Sequence, residues 1–147
     1  MSILQQITED MKQAMKAQDK VRLSTLRLLL SQLKNAKIDS GKELTPDDEV
    51  AVLLNAAKKR KESIEAFEAG NRLDLAEREK QELAIIQQYL PAQLSDAEVE
   101  QKVAEVIASI GATSMKDMGR VMAEVMKALK GRADGKKVQE MVRSKLA

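Results

Sequence analysis

The chain has 147 residues, 25 basic and 23 acidic side chains, a net charge of +2 and 44% hydrophobic residues. Cysteine, histidine and tryptophan are absent, which excludes disulfides, thiol nucleophiles and thiolate zinc sites, and removes the commonest general base and metal ligand. Phe67 and Tyr89 are the only aromatics, which argues against a base-stacking sheet or a base-flipping pocket.

The apolar spacing is helical from the start. Ile3, Leu4, Ile7, Met11 and Met15 recur at three and four, predicting a first helix to about Ala17. Leu23, Leu26, Leu30 and Leu33, widened by Leu28 and Leu29, predict a second from about Asp19 to Ile38, broken at Ser40-Gly41-Lys42. Thr45-Pro46-Asp47-Asp48 combines an N-cap hydroxyl, a proline suited to the first helical position and acids at the positive dipole end. The third helix carries Val50, Leu53, Leu54, Ala57, Ile64 and Phe67 and ends at Gly70, a residue suited to a left-handed cap.

A fourth helix takes Leu73, Ala76, Leu83, Ile86 and extends toward Tyr89, with Pro91 as its stop. Ser95 and Glu98 have capping-box spacing and open a fifth helix through Val99, Val103, Val106, Ile107 and Ile110, closed by Gly111. A sixth follows Ser114 and buries Met118, Val121, Met122, Val125, Met126 and Leu129, with Gly131 as its end. Asp134 caps a last helix with Val138, Met141, Val142 and Leu146. No β-alternation occurs. The expected fold is all-α: a bundle of about four helices over residues 1–92, then a small three-helix tail domain over 95–147.

Charge is segregated along this map. Residues 1–37 carry +4, residues 38–57 carry −4, Lys58-Lys59-Arg60-Lys61 adds +4, residues 62–82 carry −4, and Lys116 to the end carries +5. The basic run at 58–61 can meet phosphates, or it can be a solvated face balanced by Glu62, Glu65 and Glu68. Glu62, Glu65, Glu68, Glu77, Glu79 and Glu82 read better as solvated helical acids than as a carboxylate metal site, because the helical di-metal motif needs histidine. No metal site and no cofactor are expected. The methionines at 118, 122 and 126 fit a core stripe better than a plastic groove.

Gly131-Arg132-Ala133-Asp134-Gly135-Lys136 lacks the spacing and the strand context of a nucleotide loop. As a turn it is informative. Gly131 permits a left-handed cap, Asp134 caps the next helix and Gly135 allows close approach. Arg132, Lys136 and Lys137 then stand beside a helix N-terminus, where phosphate can bind; the alternative is a well-made helix–helix turn and nothing more. No catalytic constellation is visible, because no base other than a carboxylate or lysine could activate a hydroxyl.

The stretch Asp117–Leu146 resembles the tail domain of the GatB/YqeY family through Met118-Gly119, Val121-Met122, Gly131-Arg132-Ala133-Asp134-Gly135 and the helix from Val138. Thr25–Asp39 and Lys58–Ser95 resemble its stand-alone branch. The resemblance implies an all-α, two-part fold. It also implies a tail like the one that closes the B subunit of the tRNA-dependent amidotransferase and contacts the outer corner of tRNA. The amidotransferase and its carbon–nitrogen ligase chemistry reside in other domains of that subunit, so the chain is expected to be no enzyme.

The expected function is therefore that of a tRNA-binding accessory protein, working by shape and phosphate recognition. Its candidate contacts are Lys116, Arg120, Lys127, Lys130, Arg132, Lys136, Lys137 and Arg143, with Gly131 and Gly135 letting the backbone approach. The alternative is a helical adaptor for a synthetase or another translation-linked partner, lending the Leu-rich second helix to a partner's groove. No run approaches the roughly 18 apolar residues of a membrane span. The amphipathic, mixed-charge start lacks the pattern of a signal sequence, so the expected location is the cytoplasm.

Overall fold

A computed structural model describes residues 1–129 and 131–147. It is all-α, with seven α-helices and no strand among the described residues. The helices are α1 (Ile3–Lys16), α2 (Lys20–Ser40), α3 (Pro46–Ala69), α4 (Leu73–Gln87), α5 (Asp96–Ile110), α6 (Met118–Leu129) and α7 (Gly135–Leu146). The chain divides into two compact units, Met1–Leu90 and Pro91–Ala147.

In the first unit α1 packs along α2 and α3 along α4, with α2 also meeting both α3 and α4. The core is built from Ile7 and Ala14 of α1, Leu26, Leu29 and Leu33 of α2, Leu53, Ala56 and Ala57 of α3, and Ile86 of α4. Small residues on α3 allow close approach, and the leucines of α2 fill the space between the helices. Leu23 and Leu30 pack at the margin of this core, leaving Leu28 as the exposed leucine of α2. The Leu-rich stripe expected to serve a partner's groove is thus spent inside the unit.

Local chemistry sets the helix ends. Ser2 and Gln5 form a capping box at α1, and Asp19 accepts from the Arg22 N–H at 3.1 Å to start α2. Thr45 and Asp48 cap each other's backbone at α3, with Pro46 at its first position. Hydrogen bonds from the Thr45 backbone and then its hydroxyl hold the Asp48 carboxyl below its ordinary range. Gly70 differs from expectation: its φ is −85°, and Asn71 takes the left-handed conformation at +57° instead. Asparagine tolerates that region because its short amide bonds locally. α4 ends at Gln87, before Tyr89.

Two polar clusters sit within this unit. Glu49, fully acid in type yet buried, accepts the Leu4 N–H at 2.8 Å and so satisfies a donor that α1 itself leaves open. Arg60, in the middle of the basic run, lies 3.0 Å from Glu82 and 3.5 Å from Glu79, all three largely buried. Its balancing partners are therefore on α4 and not Glu62, Glu65 or Glu68 of its own helix. Burial, then the Glu82 charge, pushes the Glu79 carboxyl up, while Arg60 opposes the rise.

In the second unit α6 packs on α7, and α5 on both. Val121, Val125 and Leu129 of α6 and Val138, Val142 and Leu146 of α7 each repeat at four residues, so each triplet forms one buried stripe. Val99 and Val103 of α5 complete the core, and Met118, Met122, Met126 and Met141 pack half-buried around it. Ser95 and Glu98 make the expected capping box, and Gly111 closes α5 at φ +74°. A single 3₁₀ turn, Met115–Asp117, precedes α6.

Candidate nucleic-acid interface

The turn between α6 and α7 is the element on which the tail's cations depend. Gly131 adopts φ +78°, a left-handed conformation that favours glycine. Asp134 accepts from the Lys136 N–H at 3.1 Å and opens α7. That carboxylate occupies the end of the helix dipole where a phosphate would bind. Gly135 has no left-handed φ, and a Cβ there would meet Met126 Cε at an ordinary 3.6 Å. The close backbone approach expected at Gly135 is therefore not a requirement of the fold.

Two cations of this turn, Arg132 and Lys137, are engaged with the protein. Arg132 Nε donates to the Ala92 carbonyl at 2.9 Å, and the Arg132 carbonyl accepts from Leu94 N–H at 2.8 Å. Gln93 Nε2 donates to the carbonyls of Gly131, at 3.0 Å, and Pro91, at 2.8 Å. Arg132 thus fastens residues 91–94 to the tail, a task that its charge pattern did not reveal. Lys137 reaches Asp96 at 2.9 Å, and this hydrogen bond, then the Asp96 charge, holds its ammonium above the ordinary range.

The remaining candidates lie on helix faces. Lys116 belongs to the 3₁₀ turn and Arg120 to the start of α6, where it stands 3.9 Å from Asp117. Lys127 lies near the other end of α6, roughly 10 Å along the axis from Arg120. Arg143 lies on α7, on the same face as Lys136. Lys116, Arg120, Lys127, Lys136, Lys137 and Arg143 are all exposed. Lys130 lies outside the described residues.

The two tail helices have a common pattern. Arg120, Glu124 and Lys127 on α6, and Lys136, Glu140 and Arg143 on α7, are spaced by four and then three residues, so each face alternates cation, carboxylate, cation. Among the described residues no group of three or more acidic side chains is placed to hold a metal ion, and no helix is long and apolar enough to cross a membrane.

Sequence reasoning missed other polar groups. Tyr89 donates its hydroxyl to Asp10, with Arg22 3.8 Å from the same carboxylate and 2.9 Å from Gln88. Burial, then the Asp10 hydrogen bond and charge, pushes the phenol up. This cluster ties the end of α4 to α1 and α2. Its members are far apart in sequence, and no spacing signals it.

Comparison with known proteins decides the family. The YqeY-like protein family matches residues 4–146, nearly the whole chain. The chain belongs to this family. It is similar to altered inheritance of mitochondria protein 41, mitochondrial, of Lachancea thermotolerans, with 43% identity over 71% of this chain and 57% of that protein. The protein of the same name in Pyrenophora tritici-repentis is 30% identical over 97% of this chain and 82% of its own length. That of Vanderwaltozyma polyspora is 36% identical over 76% and 64%. The chain thus spans about three-fifths of the length of the Lachancea and Vanderwaltozyma relatives.

None of these three names describes a catalytic activity. All three describe mitochondrial proteins, which overturns the expected cytoplasmic location. The physical reason is that an amphipathic, mixed-charge helix does not by itself fix a compartment.

Proposed function

We propose that this YqeY-like protein is a non-catalytic accessory protein that binds tRNA through phosphate contacts. The observation that carries the reading is the tail's charge: net +5 from Lys116 onward, of which α6 and α7 carry +4 on exposed side chains. Lysine and arginine on helix faces meet phosphates and release counterions without reading bases. The scarcity of aromatics fits such recognition by shape. The absence of histidine and cysteine supports a non-catalytic role. The resemblance of Asp117–Leu146 to the amidotransferase tail supplies tRNA as the RNA class.

Lys127, Lys136 and Arg143 are the cations best suited to test it, because Arg132 and Lys137 already serve the protein's own structure. The triple variant Lys127→Gln/Lys136→Gln/Arg143→Gln should bind tRNA at least tenfold more weakly at about 100 mM salt. Its log–log salt slope should be shallower by about 2 to 3. Unchanged affinity with an unchanged helical signal would remove the tail from the interface. The adaptor alternative keeps the segregated charge of residues 1–95 as its support, while Leu26, Leu29 and Leu33 of the helix it relied on are buried.

A further inference from the structure

The exposed face of α2 differs from every other charged face described above. Lys20, Arg27 and Lys34 follow one another at seven residues, two helical turns, so they share one stripe. Successive members are about 10 Å apart along the axis. All three are exposed, and Ser24, Ser31 and Asn35 fill the same face between them. No carboxylate interrupts it: α2 has a single acid, Asp39, in its last turn. The ion pairs of this helix engage Arg22 with Asp10 and Lys37 with Glu43. None among the described residues engages Lys20, Arg27 or Lys34. Arg78 of α4, itself 3.7 Å from Glu82, reaches the edge of this face, 3.5 Å from the Ser24 hydroxyl.

We infer that this face of α2 is a second surface for the phosphate backbone of a structured RNA, built wholly within the Met1–Leu90 unit. The composition of the face selects the occupant. A helix seated in a protein groove needs apolar anchors at three- and four-residue spacing, and a helix lying on a membrane needs an apolar face to insert. Here the apolar face is buried in the core; exposed Ile38 ends the stripe one turn beyond Lys34, and Leu28 stands to one side, about 15 Å away along the axis, too far to form a joint anchor. Cations interleaved with hydroxyl and amide donors are the groups that contact phosphate and sugar oxygens. The opposite side of the same helix, with Leu26, Leu29 and Leu33 fully buried, holds the stripe rigidly in place. The inference rests on the RNA-binding reading for its ligand but on different residues.

The test uses the full chain and purified tRNA, with binding followed across salt for four proteins. These are the wild type, the stripe variant Lys20→Gln/Arg27→Gln/Lys34→Gln, the tail variant above, and a control, Lys58→Gln/Lys59→Gln/Lys61→Gln. The control removes equal charge from exposed positions of the α3 basic run. The stripe variant should lose tenfold or more in affinity and about 2 to 3 units of salt slope, and the control no more than about threefold. Melting curves matching the wild type show that the substitutions leave the fold intact. Wild-type binding with an unaffected stripe variant overturns this inference alone. Equal losses in stripe variant and control also overturn it, by showing a general charge effect. A wild type that binds no tRNA at 50 mM salt, or binds only anionic phosphatidylserine vesicles, overturns both the inference and the reading beneath it.

Discussion

The cations of α2 and those of the tail helices teach different lessons about charge. The tail carries the larger net charge, +5 from Lys116 onward. Yet each of its helix faces places a carboxylate between two cations, Glu124 on α6 and Glu140 on α7. Two more cations of the tail are committed, Arg132 to the Ala92 carbonyl and Lys137 to Asp96. The first 37 residues carry +4, but α2 arranges three of its cations in a line with only neutral polar residues between them. Potential at a surface depends on which charges share a face, and the helical period decides that, not the sum over a segment.

The comparison can be broken most forcefully from the inside of α2. Leu29→Ala deletes a fully buried side chain from the packing that fixes the stripe and should destabilise the first unit by about 2–5 kcal/mol, read by urea unfolding. Loss of the stripe's RNA contact together with this destabilisation would tie the two faces of the helix to each other. Glu49→Ala comes next. It strands the Leu4 N–H inside the unit and should cost about 1–3 kcal/mol, whereas Glu49→Gln, which keeps an acceptor, should cost less.

The turn that presents the tail cations can be sharpened by a matched pair. Gly131→Ala forces a methyl group into a left-handed conformation and should cost about 1 kcal/mol. Gly135→Ala meets only ordinary contact at Met126 and should be neutral or stabilise by up to about 1 kcal/mol. Equal costs at both glycines would contradict the geometry assigned to this turn.

The smallest effect concerns pH. The folded protein raises the Glu79 carboxyl above its ordinary value of 4.5. The fold therefore favours the protonated form. The contribution of this group to stability is fullest below 4.5 and declines as pH rises through the folded value. Glu79→Gln should flatten the stability profile just above 4.5 without changing it at lower pH. An unchanged profile in thermal melts across that window would show that Arg60 offsets the burial completely.

Much of this architecture was legible because helices announce their ends with short-range chemistry. Thr45-Pro46 with Asp48, Ser95 with Glu98, and Asp134 each sit where the structure places a cap. The valine and leucine stripes of the tail obey a simple four-residue period. The misses share a cause. Glu49 resembles any first-turn acid, and Arg60 any member of a basic run, until the fold brings Leu4 to one and Glu79 and Glu82 to the other. Asn71 replaced Gly70 in the left-handed position because either residue suits it, and the choice depends on where α3 stops. The candidate site was legible as residue types but not as faces. The seven-residue spacing on α2 was present in the sequence, but summing charge by segment drew the reading to the tail.

The most direct test of the account is the affinity of the full chain for folded tRNA against an unstructured RNA of equal length, measured from low to physiological salt. The account predicts tighter binding to the folded tRNA, with a log–log salt slope of about −3 to −4 or steeper. Equal affinity for the two RNAs, or no binding at low salt, would contradict it.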